Sequence, residues 1–136
     1  MADAAGRRPS DGSVTGLPRI LLRSEGAALL AMALTLYWQF GTSWLLFVVL
    51  LLAPDVGMLG FLRGSRAGAA LYNAFHTYVP PAILAVAGVL LESELVWSLS
   101  LIWFAHIGMD RLLGYGLKYP TGFQDTHLGR IGRSAP

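Results

Sequence analysis

Four apolar stretches, residues 19–40, 43–62, 67–91 and 94–113, fill most of this 136-residue chain. Each is close to the ~20 residues that cross ~30 Å of hydrocarbon at ~1.5 Å per helical residue. None carries the polar face that a helix of a soluble bundle needs. Their ends are punctuated by Pro18, Gly41-Thr42-Ser43, Arg63-Gly64-Ser65-Arg66 and Ser93, the last a natural N-cap. Charged residues make up 13% of the chain, about half the share of a soluble domain, so too few ionic groups exist to cover a water-facing surface. The pattern predicts an all-α fold, a polytopic membrane four-helix bundle whose short connections make neighbours antiparallel. Residues 1–18 read as a disordered cytoplasmic leader, 19–113 as the bundle, and 114–136 as an interfacial segment and tail. The first stretch is not a signal peptide, because Arg23 and Glu25 interrupt its start and no small-residue cleavage site follows it. The lack of cysteine excludes disulfides, thiolate metal sites and thiol nucleophiles.

The ten Lys and Arg residues fix the orientation. Arg7, Arg8, Arg19 and Arg23 precede or open the first span; Arg63 and Arg66 lie between the second and third; Arg111, Lys118, Arg130 and Arg133 close the chain. The other two connections carry no basic residue, and one holds Glu92 and Glu94. The positive-inside rule then puts both termini and the middle loop in the cytoplasm. A basic pI of about 9.3 therefore reports topology, and membrane lipids rather than nucleic acid are the expected partners.

Depth can be counted from the cytoplasmic end of each span. At ~1.5 Å per residue, Glu25 lies ~9 Å in, Asp55 and His106 ~10 Å, and His76 ~14 Å, with Arg23 and Asp110 at ~5–6 Å. Ionisable groups at such depth cost a few kcal/mol unless they face the bundle interior and find partners, so they are expected to converge on one level. His106 and Asp110 share a helix face at i, i+4, and Tyr72 and Asn73 extend the stripe that ends at His76. Pro80 removes the bond that would have satisfied the His76 carbonyl, and Pro54 interrupts the helix beside Asp55. Irregular backbone at this depth suits a pocket.

Two imidazoles and two carboxylates at one level fit a divalent metal, Zn²⁺ first, with Asp55, His76, His106 and Asp110 as ligands and Glu25 as a catalytic base. Arg23, Tyr72, Asn73, Arg111, Lys118, Asp125 and His127 are the candidate supporting or substrate-binding groups, Lys118 near lipid phosphates and Asp125-x-His127 as further ligands or a lid. The same acids also fit a structural network, with Glu25 or Asp110 paired to Arg23, Arg66 or Arg111. The first reading makes the protein a metal-dependent hydrolase of a lipid or lipid-linked phosphate at the cytoplasmic leaflet. The second makes it a packing or partner protein without chemistry. A transporter ranks below both, since the outer half of the bundle has no ionisable group inside the spans.

Several motifs carry a resemblance: Arg23-x-Glu25, Pro54-Asp55-x3-Leu59-Gly60, Tyr72-Asn73-x2-His76, Ala105-His106-x-Gly108-x-Asp110-Arg111-x2-Gly114-Tyr115-Gly116-Leu117-Lys118-Tyr119-Pro120 and Thr126-His127-Leu128-Gly129. Over about residues 19–132 the chain resembles the bacterial membrane proteins of the domain of unknown function 4260 family. The resemblance implies a small four-helix protein of a bacterial cytoplasmic (inner) membrane and brings no established activity. More loosely, the order Pro-Asp, His, Ala-His-x3-Asp is similar to small membrane-bound metal-dependent hydrolases, although of their His-Arg-Gly-x-Thr-His stretch only His76-Thr77 is matched.

Overall fold

The computed structural model describes residues 12–131. Arg7 and Arg8 of the leader and Arg133 of the tail lie outside the described residues. The fold is mostly helical. Helix α1 spans Gly16–Phe40 and α2 Trp44–Leu50, followed by a 3-10 helix at Ala53–Arg63, then α3 Ser65–His76, α4 Val79–Leu90 and α5 Glu94–Leu113. A small antiparallel hairpin, β1 Asp125–Thr126 and β2 Gly129–Arg130, ends the described chain. Three units are long and apolar enough to cross a membrane: Gly16–Phe40, Trp44–Arg63 and Ser65–Leu90.

Two of those units are broken, each beside a proline. The stretch 43–62 divides into α2 and the 3-10 helix, with Pro54 in the first turn of the latter. The stretch 67–91 divides at Thr77-Tyr78, and Pro80 and Pro81 open α4. Eleven residues of 3-10 helix is long for a geometry with strained hydrogen bonds; here the run is held by α3, against which it packs. Gly57 and Gly60 let the two backbones meet, since a Cβ on Gly60 would stand 2.9 Å from the Ala67 carbonyl oxygen.

Helix α5 is the centre of the molecule. It packs antiparallel against α1 and α4, and most of its residues from Ser98 to Arg111 are buried. Gly26 of α1 meets Gly108 of α5 so closely that a Cβ on Gly26 would lie 2.4 Å from the Arg111 Cβ. Ser93 caps the N-terminus by accepting from the Val96 N–H, as its position predicts. Gly114 ends the helix in the left-handed region at φ 88°, and the Tyr115 N–H returns to the Asp110 carbonyl. Farther along α5, Tyr37 and Phe47 join Ala33, Leu101, Ile102 and Ala105 in a buried core, and the exposed Trp44 packs at tilted angles against both rings.

The C-terminal segment is part of this fold. Leu128, Thr126 and Lys118 are buried, Tyr115 and Phe123 are exposed, and Tyr119 is half-buried. Residues 12–18 of the expected leader join it: the Val14 N–H donates to the His127 carbonyl, the Tyr119 hydroxyl to the Gly12 carbonyl, and α1 already begins at Gly16.

Candidate metal centre

Asp55, His76, His106 and Asp110 come together between the 3-10 helix, α3 and α5, and one ligand atom from each lies within 4.8 Å of all the others. The two Nε2 atoms are 3.0 Å apart. Asp55 Oδ1 is 3.2 Å from His76 Nε2 and 3.3 Å from His106 Nε2, and Asp110 Oδ2 is 3.4 and 3.5 Å from the same two atoms. Ligands bonded at about 2.0–2.2 Å to a tetrahedral ion stand about 3.3–3.6 Å apart, so these five separations are close to the edges of such a tetrahedron. The set can hold a metal ion.

Protonation supports that conclusion. His76 Nδ1 lies 2.8 Å from the Tyr72 carbonyl and His106 Nδ1 2.7 Å from the Leu51 carbonyl. A carbonyl oxygen only accepts, so both rings carry their proton on Nδ1, and a neutral ring then presents a bare lone pair at Nε2. Two bare nitrogens and two carboxylate oxygens face one another, with the Tyr72 hydroxyl, 3.4 Å from Asp110 Oδ2, as the added donor. Four converging acceptors require a shared cation, a metal ion or a proton on one ring.

The two prolines supply the supports. In a 3-10 helix the Leu51 carbonyl would accept from residue 54, but Pro54 has no N–H, and the Asp55 N–H bonds instead to Leu52 at 3.1 Å. The freed Leu51 oxygen is the one that holds His106. In an α-helix the His76 carbonyl would accept from residue 80, which is Pro80; Arg111 Nη2 donates to it at 2.9 Å instead. Nη1 of the same guanidinium reaches the Tyr115 carbonyl at 3.0 Å. The free His76 carbonyl is legible in the sequence, whereas the Leu51 carbonyl is not, because only the change to 3-10 geometry exposes it.

The remaining candidates fall into two groups. Tyr72 stacks on His76 with ring centroids 3.7 Å apart and donates to Asp110. Asn73 clamps the backbone of Lys118, donating to its carbonyl and accepting from its N–H at 2.8 and 2.7 Å. Lys118, expected beside lipid phosphates, is instead buried: its ammonium donates to the Phe123 carbonyl and lies over the rings of Tyr72, Phe61 and Phe123. Burial pulls that ammonium below its ordinary range, against the opposing charges of Asp110 and Asp55. These residues buttress the cluster from the C-terminal segment.

Glu25, Arg23, Asp125 and His127 are not among the four. Gly26 faces α5, so its neighbour Glu25, rotated about 100° around the helix, is exposed; α1 gives the cluster no member. Arg23 Nε caps α5 through the Leu112 carbonyl at 2.9 Å. Asp125 accepts from Thr121 and lies 3.7 Å from Arg130. His127 Nδ1 accepts from the Leu117 N–H at 2.8 Å, and burial, then the Arg111 charge, hold its imidazole below the ordinary 6.5. Among the described residues, none of the arginine–carboxylate pairs expected of a structural network around Glu25 or Asp110 forms.

Access to the cluster is uneven. The two imidazoles are fully buried and the Asp110 side chain is 10% exposed, while Asp55 is 34% exposed. An apolar groove of about 340 Å³ is lined by Pro54, Phe75, Ile102 and Trp103 among others, of which Pro54 and Phe75 adjoin Asp55 and His76 in sequence. A larger hollow of about 560 Å³, lined by Gln39, Glu92, Glu94 and Trp97, lies where α1 meets the α4–α5 turn; neither hollow is lined by a cluster residue.

Comparison with curated proteins and with solved structures gave no match. The sequence model of the family described as Domain of unknown function (DUF4260) matches residues 19–131, which include all four cluster residues and every support described above. The chain belongs to that family.

Proposed function

We propose that this chain is a four-span membrane protein, with both termini in the cytoplasm, that binds a divalent metal through Asp55, His76, His106 and Asp110 and hydrolyses a lipid or lipid-linked phosphate at the cytoplasmic leaflet of a bacterial inner membrane. The observation that carries the metal reading is the convergence of four acceptor atoms whose imidazole donors are already spent on backbone carbonyls. Oxygen and nitrogen ligands at tetrahedral spacing favour Zn²⁺. A divalent ion held there would supply an activated water and a Lewis acid for a phosphoryl or carbonyl oxygen. The chain's own residues do the rest: Leu51 and Tyr72 fix the two rings, Arg111 holds the broken backbone at His76, and Tyr72 steadies Asp110. Asp55, on the 3-10 helix and a third exposed, is the ligand beside which substrate would enter.

One observation favours a second reading. Four protein ligands close a tetrahedron, which is the pattern of structural zinc; catalytic sites keep one position open. Elemental analysis of purified protein, before and after reloading with Zn²⁺, tests the centre: one ion per chain is expected, and none after reloading overturns it. Incubation of the loaded protein with labelled inner-membrane lipid extract then separates the readings. Water-dependent release of a headgroup, lost in Asp55→Ala while metal persists, supports hydrolysis; a metal-dependent melting temperature with no turnover supports the structural centre. A reporter fused after residue 92 should read as external.

A further inference from the structure

The apolar groove has no role in holding the cluster, yet it is built from the cluster's neighbours. Pro54 and Val56 flank Asp55, Phe75 precedes His76, and Trp103 stands one turn before His106; Leu50, Ala53, Leu84 and Leu99 complete the walls. Its volume, about 340 Å³, is at the small end of ligand pockets. The floor is preformed: the Trp103 indole N–H donates to the Phe75 carbonyl at 2.7 Å, and the two rings stack with centroids 6.0 Å apart.

We infer that this groove seats one hydrocarbon chain of a membrane lipid, with its polar end at Asp55, and so serves as the chain subsite of the site proposed above, on which reading its catalytic role rests. The occupant follows from position and chemistry. The walls come from two units apolar enough to cross a membrane, Trp44–Arg63 and Ser65–Leu90, and from α5. The lining is almost free of polar atoms, so a headgroup or a soluble metabolite gains nothing there, whereas an acyl or isoprenoid chain fits its chemistry. The polar end of such a molecule is assigned to the 3-10 helix side of the groove, where Pro54 and Val56 flank Asp55 in sequence and Asp55 is the cluster side chain with appreciable exposure.

The test uses full-length protein in which Trp38, Trp44 and Trp97 are replaced by Phe, leaving Trp103 as the fluorophore. It is placed in nanodiscs of phosphatidylethanolamine and phosphatidylglycerol doped with phosphatidylglycerol brominated along its acyl chains. Quenching that saturates while the brominated lipid is still a minor component is expected. Ala53→Phe, and independently Leu99→Phe, should fill the groove and weaken that apparent affinity about tenfold, with metal content unchanged. Quenching strictly proportional to the brominated fraction means casual lipid contact and overturns the inference; no quenching at any fraction means that protein, such as a second copy, covers the groove, and overturns it too. Metal content of the same samples separates the two ideas: saturable quenching without metal sinks the hydrolase and keeps the chain site, and metal without saturable quenching does the reverse.

Discussion

Helices α1 and α5 run unbroken, whereas the two spans between them are each split beside a proline, and the cluster draws on both kinds. From the continuous α5 come His106 and Asp110, set one turn apart on a rigid rod. Asp55 and His76 stand at the breaks themselves. Continuous helices satisfy their own backbone and can offer only side chains. Broken ones also offer carbonyls, and here the Leu51 and His76 oxygens are taken up by His106 and Arg111. In this ligand set the rod fixes the spacing, and the breaks supply acceptors that orient the ligands.

The largest expected effect strikes the rod. Asp110→Ala leaves the two imidazoles facing one carboxylate and should cost about 3–5 kcal/mol, read as a fall in melting temperature, with loss of bound metal by elemental analysis. Gly108→Leu attacks the same helix away from the ligands. Its side chain must displace the Gly26 carbonyl, 2.9 Å from the added Cβ, so ~1–3 kcal/mol of destabilisation is expected, without a direct effect on ligand chemistry in protein that still folds. If metal affinity fell as far as stability, spacing and ligation would not be separable.

Pro54→Ala strikes the break instead. The restored N–H competes for the Leu51 carbonyl, His106 loses its orienting acceptor, and metal affinity should drop about 10–100-fold with little loss of helix content. A metal titration followed by circular dichroism checks both halves; unchanged affinity would show that the break is incidental. Tyr72→Phe removes a long hydrogen bond of 3.4 Å to Asp110 and keeps the stacked ring, so less than about 1 kcal/mol is expected.

The smallest effect concerns the C-terminal buttress. The His127 imidazole is held below 6.5 in the folded segment, so the undocked segment binds more protons in mildly acid solution. Its contribution to docking is complete above 6.5 and fades as pH falls through that value toward the lower folded one. The protection factor of the Leu117 amide, whose N–H the ring accepts, should fall over that window in wild type, and His127→Gln should flatten the change.

Much of this was legible in the sequence for a physical reason: burying charge in a bilayer is so costly that few ionisable residues occur, and those that do are informative. Asp55, His76, His106 and Asp110 could be picked out on depth alone, and Pro80 announced a free carbonyl. What stayed hidden depended on direction around a helix or on backbone geometry. Glu25 has the right depth and the wrong face, because its neighbour Gly26 is the residue that meets α5. Lys118 reads as a surface cation until Asn73 is seen to fold its backbone inward beneath three aromatic rings.

The order of the helices along the chain has a consequence for how such a protein would be made. Helix α5, largely buried and carrying His106, Asp110 and Arg111, is not among the three units long and apolar enough to cross a membrane by length and composition. It also follows the other described helices in chain order. In a membrane, α1 and the two broken spans would already be in place, presenting the glycine at position 26 and the free Leu51 carbonyl as a prepared berth. Helix α5 would then bring His106, Asp110 and Arg111 against protein rather than lipid, and the four ligands would first meet when it docks.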